Sequence, residues 1–132
     1  MFTHSYLGTN DVETSRKFYN VTMGTLGYQP VELPHGTVYP SDAGVALVVA
    51  KPLNGEAHAP SNGHTLGFQA PDYATVEAWH QAGLANGGTC DGEPGFRANS
   101  PGNMYGAYLR DPDGNKVCVF APNTGPNTGR GE

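Results

Sequence analysis

The amino-acid sequence predicts an α+β fold built from two βαβββ modules. Three observations predict it: a repeated strand-to-helix segment, three strand-like segments after each helix, and a composition rich in turn residues. The 132 residues include 19 Gly and 11 Pro, whereas only 14% are charged, which favours many short strands over a helical bundle. We expect the modules at residues 1–55 and 56–121, followed by a flexible C-terminal tail at 122–132.

A repeated segment opens each module. Residues 4–11 (HSYLGTND) are typical of a short strand that ends in a helix-capping acid, and residues 64–72 (HTLGFQAPD) repeat this pattern. The carboxylates of Asp11 and Asp72 can accept hydrogen bonds from the free N–H groups that begin a helix. The repeat therefore predicts a strand and then a helix in each half.

Apolar residues at helical spacing follow each capping acid. In the first helix these are Val12, Tyr19, Met23 and Leu26. In the second helix one face carries Val76, Trp79, His80, Gly83 and Leu84. Gly27 and the pair Gly87-Gly88 supply the residues that commonly end a helix.

Strand-like segments complete each module. Those of the first module lie at about 28–34, 36–40 and 44–51, and those of the second at about 88–92, 104–110 and 115–121. Residues 111–115 (DPDGN) predict a tight turn before the last strand, because Pro presets one φ and Gly accepts a positive one. Residues 91–103 are loop-like, and such a loop is a common place for binding groups.

Composition excludes several classes of partner. There are 7 Lys and Arg against 12 Asp and Glu and no basic run, which argues against nucleic-acid binding. The longest apolar run, Val45–Ala50, is too short to span a bilayer. The N-terminus has no signal-peptide pattern and two cysteines cannot form a disulfide scaffold, so we expect a cytoplasmic protein.

The doubled module, with His4 and His64 opening its halves and DPDGN before its last strand, resembles the vicinal oxygen chelate superfamily. This superfamily includes glyoxalases, bleomycin resistance proteins and extradiol dioxygenases, and the nearest likeness is to small glyoxalase-like proteins. The likeness covers residues 1–121 and is most specific at Tyr105–Lys116. It implies two half-cups that form a half-open barrel around a small-molecule site, in a chain that is commonly a homodimer.

The resemblance also implies a mononuclear site of two histidines and one or two carboxylates. His4 and His64 fall on its histidine positions, but Cys118 stands where a glutamate is expected and Val48 occupies the remaining position. The expected ligands are therefore His4, His64 and Cys118. This set suits Zn²⁺ better than Mn, Ni or Fe.

Three interpretations of Cys118 stay open. It is a metal ligand, an ordinary buried residue in a site that has lost its metal, or a reactive thiol. His35, His58 and His80 are more simply interpreted as surface or loop histidines.

Strand alternation extends the predicted pocket. If His4 faces the pocket, Tyr6 does too, and if His64 does, so do Leu66 and Phe68. The Tyr6 hydroxyl would orient a polar ligand and Phe68 would supply an apolar wall. The alternative is that these side chains only fill the barrel.

Three further residues are candidates for catalysis and substrate binding. Tyr108 and Cys118 lie on neighbouring predicted strands and are the candidates for moving a proton or reacting with substrate. Arg97 would pair with an anionic substrate group, its alternative being a solvated loop arginine.

The resemblance implies a metal-dependent lyase or isomerase, similar to lactoylglutathione lyase, that acts on a small oxygenated substrate, with or without a conjugated thiol. The alternative is a metal-free protein that binds or sequesters a small molecule, as bleomycin resistance proteins do. A third hypothesis is a thiol-dependent enzyme that uses Cys118.

Overall fold

The computed structural model describes residues 1–125 of the protein, which fold as an α+β chain. Residues 126–132, which make up most of the predicted tail, lie outside the described residues. The elements in chain order are β1 (His4–Gly8), α1 (Val12–Thr25), β2 (Val31–Leu33), β3 (Gly36–Pro40), β4 (Ala46–Ala50), β5 (Leu66–Gln69), α2 (Tyr73–Ala85), β6 (Thr89–Phe96), β7 (Tyr105–Arg110) and β8 (Lys116–Ala121).

The strands form two four-stranded sheets with the same topology. Their orders are β1-β4-β3-β2 and β5-β8-β7-β6, with β1 parallel to β4 and β5 parallel to β8. The other neighbours are antiparallel. Within residues 1–125 the two sheets do not close into a barrel. The predicted α+β architecture of two βαβββ units in a half-open arrangement is confirmed.

The capping acids begin both helices as predicted. The Asp11 carboxylate accepts a hydrogen bond from Thr14 N at 3.1 Å, and the Asp72 carboxylate accepts one from Thr75 N at 2.8 Å. Gly27 follows α1 with φ +92°, a conformation that side chains with a Cβ rarely adopt. Neither helix in the described part of the chain combines the length and apolar character that a membrane crossing requires.

One face of each sheet packs against the helices, and the two helices pack against each other. The largest fully buried side chains are aromatic and come from both modules: Trp79, Tyr19, Tyr39, Tyr105 and Phe18. The opposite face of each sheet is turned away from the helices and is called the open face below.

The DPDGN turn is centred on a buried carboxylate. Asp111 Oδ2 accepts hydrogen bonds from Tyr19 Oη at 2.6 Å and from Asn115 Nδ2 at 2.9 Å. Asp111 Oδ1 accepts from the backbone N–H groups of Asp113 and Asn115, both at 2.9 Å. Burial raises the pKa of Asp111, and these four hydrogen bonds oppose that rise.

The same turn fastens the second module to the first. The Asp113 carboxylate accepts hydrogen bonds from Thr9 Oγ1 at 2.5 Å and from Asn10 N at 2.8 Å. The side-chain amide of Asn115 donates to the carbonyl of Gly8 at 3.0 Å. The turn therefore fixes where the end of β1 lies relative to the start of β8.

Strand β6 is longer than predicted. It runs through Phe96, whereas the sequence predicts a strand that stops near residue 92 and a loop over 91–103. Its pairing with β7 shifts register between Cys90 and Gly92 and again between Gly92 and Gly95. These bulges accommodate the turn-forming residues without ending the strand, so the connecting loop begins only at Arg97.

Helix α2 buries the predicted face except at its C-terminal end. Val76, Trp79 and Gly83 are buried as expected, but Leu84 is 43% exposed. His80 is only 4% exposed, so its interpretation as a surface histidine is wrong. It lies where α2 packs on the second sheet, and burial there lowers the pKa of its imidazole.

Candidate functional site

A cavity of about 460 Å³ is lined by residues of the two edge strands β1 and β5 and of the end of α1. Its size suits a small-molecule ligand. The lining residues are Phe2, His4, Ser5, Met23, Tyr28, Tyr39, Ser41, Val45, Ala46, Leu47, His64, Thr65, Leu66, Gly67 and Phe68.

Both predicted histidine ligands line this cavity and are exposed. His4 begins β1, and its Nδ1 lies 2.9 Å from Thr3 Oγ1. His64 precedes β5 and follows Gly63, whose φ of +91° forms the bend that leads into the strand. The fold therefore brings together two imidazoles that are far apart in the chain.

Strand register determines on which face of the first sheet His4 lies. Tyr6 pairs with Val48, the residue at the second predicted ligand position, and His4 lies two residues before Tyr6. Alternation places His4, Tyr6 and Val48 on the open face of the first sheet. Tyr6 Oη donates to the carbonyl of Lys51 at 2.5 Å, so its hydroxyl is already engaged.

The second module is offset by one residue. Cys118 pairs with Gly67, and the residue two positions before Gly67 is Thr65. His64 lies one position further out, ahead of the first residue of β5. In strand register, Thr65 is thus the counterpart of His4, whereas His64 reaches the cavity from the loop.

Cys118 faces away from the helices and does not line the cavity. It is 5% exposed, and it pairs with Gly67 on one side and with Tyr108 on the other. Burial raises the pKa of the Cys118 thiol to about 11, although Lys116 and Arg97 oppose this. At neutral pH Cys118 is therefore a protonated thiol, which disfavours the interpretation of Cys118 as a reactive nucleophile.

The expected metal ligands do not fit one ion within this chain. Among residues 1–125, the one group of three His, Cys, Asp or Glu side chains with donor atoms within 4.8 Å of one another lies elsewhere. His4, His64 and Cys118 do not form such a group, and they include no carboxylate oxygen of the kind that glyoxalase and dioxygenase sites use.

Tyr108 is held on the open face of the second sheet by two cations and an aromatic ring. The Arg97 guanidinium lies 5.7 Å and Lys116 Nζ 5.1 Å from the centre of its ring. Phe120 packs edge-to-face at 5.8 Å. Desolvation raises the pKa of Tyr108, and Cys118 adds to the rise, so its hydroxyl is a hydrogen-bond donor at neutral pH.

The Arg97 guanidinium is hydrogen-bonded to backbone carbonyls of the preceding strand. Its Nη1 donates to the carbonyl of Gly95 at 2.9 Å and its Nη2 to the carbonyl of Glu93 at 2.7 Å. These bonds fold the guanidinium back onto β6 and over Tyr108. Arg97 therefore shapes the open face of the second sheet.

Leu66 and Phe68 face the opposite side from Cys118 and Tyr108. They pair with Val117 and Val119 and pack against the hydrophobic core. Phe68 still lines the cavity, but from the core side. The prediction that Phe68 shares a face with His64 assumes that strand alternation extends back to His64, but His64 lies outside β5.

Sequence reasoning missed three side chains of the cavity wall. Met23 lies near the end of α1, Tyr28 in the connection from α1 to β2, and Tyr39 in β3. Met23 and Tyr39 have the apolar spacing of core residues and are indeed buried. Nothing in their pattern distinguishes a core position from a cavity wall.

Comparison with known proteins gives one family. Residues 2–119 match the family model described as the Glyoxalase/Bleomycin resistance protein/Dioxygenase superfamily. None of the curated proteins matches the chain. The crystal structure of a glyoxalase/bleomycin resistance protein from Albidiferax ferrireducens T118 is 46% identical, with a TM-score of 0.87 over 92% of this chain and 98% of that chain.

Two more distant solved structures share the fold. A glyoxalase-related enzyme from Fulvimarina pelagi is 23% identical, with a TM-score of 0.73 over 100% of this chain and 95% of that one. Lactoylglutathione lyase from Agrobacterium tumefaciens is 22% identical, with a TM-score of 0.64 over 92% of each chain. The family match and the 46% identical structure together show that the chain belongs to the glyoxalase/bleomycin resistance protein/dioxygenase superfamily.

Proposed function

We propose that this chain binds a small organic molecule in the cavity between β1 and β5 without a metal ion at His4, His64 and Cys118. The observation that carries the proposal is the separation of the donors. Two imidazoles line the cavity, whereas the buried Cys118 thiol belongs to the open face of the second sheet. This is the metal-free binding function expected as the alternative from the sequence.

The cavity wall indicates the class of ligand. Phe2, Phe68 and Tyr28 supply ring surface, and His4 and His64 supply polar groups at the rim. A pocket with apolar walls and a few polar groups favours a small oxygenated molecule with an apolar or aromatic body. The histidines would then act as hydrogen-bonding groups that orient the ligand.

A second candidate function is a metal-dependent lyase or isomerase acting on a small oxygenated or thiol-conjugated substrate. The convergence of His4 and His64 on one cavity favours it, and the Agrobacterium tumefaciens lactoylglutathione lyase shares its fold. Its weakness is the third ligand, because neither Cys118 nor a carboxylate of the described chain joins the two histidines.

Thermal unfolding of chelator-treated protein tests the proposed function. We expect at least one compound from a panel of small oxygenated aromatics and thiol conjugates such as glutathione to raise the Tm. A ligand at one hundred times its Kd adds about 2.7 kcal/mol to the free energy of unfolding. His64→Ala should abolish the shift and Cys118→Ser should preserve it. Ligand stabilisation that appears only after a divalent metal is restored would contradict the proposal.

We also propose that the protein forms a homodimer through the open face of the first sheet. Tyr6, Val48, Val38 and Val31 form one row across that face, and Tyr6 and Val31 are 41% and 50% exposed. Covering such a row favours association with a second copy. Sedimentation equilibrium should give the dimer mass, and a monomer mass at micromolar concentration would contradict it.

The cysteines support a cytoplasmic location, which we propose together with the function. Cys90 is exposed and Cys118 is buried, and neither is in a disulfide. Free thiols of this kind persist in reducing compartments.

A further inference from the structure

A group of three metal-ligating side chains lies away from the cavity, where α2 packs on the edge strand β6. His80 Nε2 lies 3.2 Å from Cys90 Sγ, and the Glu93 carboxylate completes a set whose donor atoms are all within 4.8 Å of one another. None of the three lines the cavity described above. We propose that His80, Cys90 and Glu93 bind a single borderline divalent metal ion, for which Zn²⁺ is the best match.

A β-bulge makes this arrangement possible. Residues 90 and 93 are an odd number of positions apart, so a regular strand would turn their side chains to opposite faces. In β6, however, Cys90 pairs with Leu109 while Gly92 pairs with Tyr108, so two steps on β6 match one step on β7. The extra residue re-phases the strand and brings Glu93 back to the face of Cys90, towards α2.

The extra residue itself points away from the proposed site. Asp91 Oδ2 lies 3.1 Å from Arg110 Nε and 3.6 Å from Lys116 Nζ. The Asp91 carboxylate therefore forms ion pairs with two cations. One of them, Lys116, lies over the Tyr108 ring. The carboxylate of Glu93 is the one that faces the imidazole and the thiol.

The donor set and its spacing suit zinc. Imidazole nitrogen, thiolate sulfur and carboxylate oxygen are the three ligand types that zinc takes in proteins. In a tetrahedral zinc site, ordinary metal–ligand lengths place neighbouring donors about 3.4 to 3.6 Å apart. The His80–Cys90 pair is close to that spacing, and the exposed Glu93 side chain can rotate to complete it.

Burial gives the site one fixed side and one accessible side. His80 is held in the core side of α2, whereas Cys90 and Glu93 are exposed, so an ion reaches them from solvent. On binding, the Cys90 thiol loses its proton to solvent and the thiolate sulfur forms the bond to the metal, with no change of oxidation state. Three protein ligands leave a fourth position for water.

Cobalt titration of the full chain, treated with chelator and then freed of it, tests the site. We expect one equivalent of Co²⁺ to produce a thiolate-to-cobalt charge-transfer band in the near ultraviolet, which Zn²⁺ then displaces. Cys90→Ser should remove the band. Glu93→Gln, at an exposed position, should weaken Co²⁺ binding more than about tenfold, since a lost ligand costs at least as much as a lost second-shell partner.

Cys118→Ser is the matched control, because it removes the other thiol of the chain and should leave the band unchanged. The proposal is overturned if wild type gives no thiolate band, if the band is lost in Cys118→Ser and kept in Cys90→Ser, or if Glu93→Gln binds Co²⁺ as tightly as wild type. The titration uses no organic ligand, so its failure leaves the cavity function standing, and failure of the ligand panel leaves the metal site standing.

Discussion

Replacing Asp111 with Ala is expected to lower the free energy of unfolding by about 3 to 4 kcal/mol. The Asp111 carboxylate accepts four hydrogen bonds, and the substitution leaves the buried Tyr19 hydroxyl without its acceptor. The substitution also removes the hydrogen bonds that fix the 111–115 turn. Within this turn, the Asp113 carboxylate accepts hydrogen bonds from Thr9 and Asn10 of the first module. The substitution should therefore weaken both the turn and the hydrogen bonds between the two modules.

Urea unfolding followed by circular dichroism measures this loss. Asp42→Ala is the matched control, because Asp42 lies in the corresponding turn of the first module and is exposed. We expect it to change the free energy of unfolding by less than about 0.5 kcal/mol. Equal effects of the two substitutions would show that the buried network at Asp111 does not stabilise the fold.

Gly83→Ala and Gly24→Ala are expected to change stability in opposite directions, although both glycines are helical. A Cβ at Gly83 would overlap Leu109 Cδ1 and come within 3.1 Å of Phe18 Cε1, and both neighbours are fully buried. Overpacking of this kind costs about 1 to 3 kcal/mol. At Gly24 a Cβ meets nothing within 4 Å, so alanine should add about 0.5 to 1 kcal/mol through its higher helix propensity.

The pair is measured as the difference in urea midpoint between each variant and the wild-type protein. Because the substitution and the secondary structure are the same, helix propensity contributes similarly to both. The difference between the variants therefore reports the close approach of α2 to α1 and β7 at Gly83. Stabilisation by both substitutions would contradict that approach.

Local chemistry made much of the fold predictable. Asp11 and Asp72 accept the hydrogen bonds that begin the helices, and Gly27 ends the first one with a positive φ. The Asp111–Asn115 turn forms where Pro and Gly predict it. Each of these signals acts within a few residues, and that is why the sequence alone reveals it.

The face of the sheet on which each side chain lies was less predictable from the sequence. Alternation reverses with every inserted residue, so a one-residue offset separates His64 from the strand position that matches His4. Phe68 consequently packs on the core side, while Tyr108 shares the open face with Cys118. The position of Phe68 depends on where β5 begins, which the residues that flank this strand do not indicate, and that of Tyr108 depends on how β7 pairs with β8.

The group at α2 and β6 was not predictable from motif spacing. His80 is on a helix ten positions from Cys90, and the interval from Cys90 to Glu93 fits a shared strand face only because of a bulge. A bulge has no reliable sequence signature in a segment rich in Gly and Pro. Only the paired strands show that these donors meet.

The metal content of His64→Ala and Cys90→Ser, compared with wild type, tests most directly where metal chemistry resides in this chain. Each protein is purified without chelator or affinity metal and analysed by elemental analysis after loading with Zn²⁺ and removal of the excess. We predict that Cys90→Ser loses the bound zinc and that His64→Ala retains it. Loss of zinc in His64→Ala with retention in Cys90→Ser would place the metal at the cavity and contradict the proposed metal-free binding function.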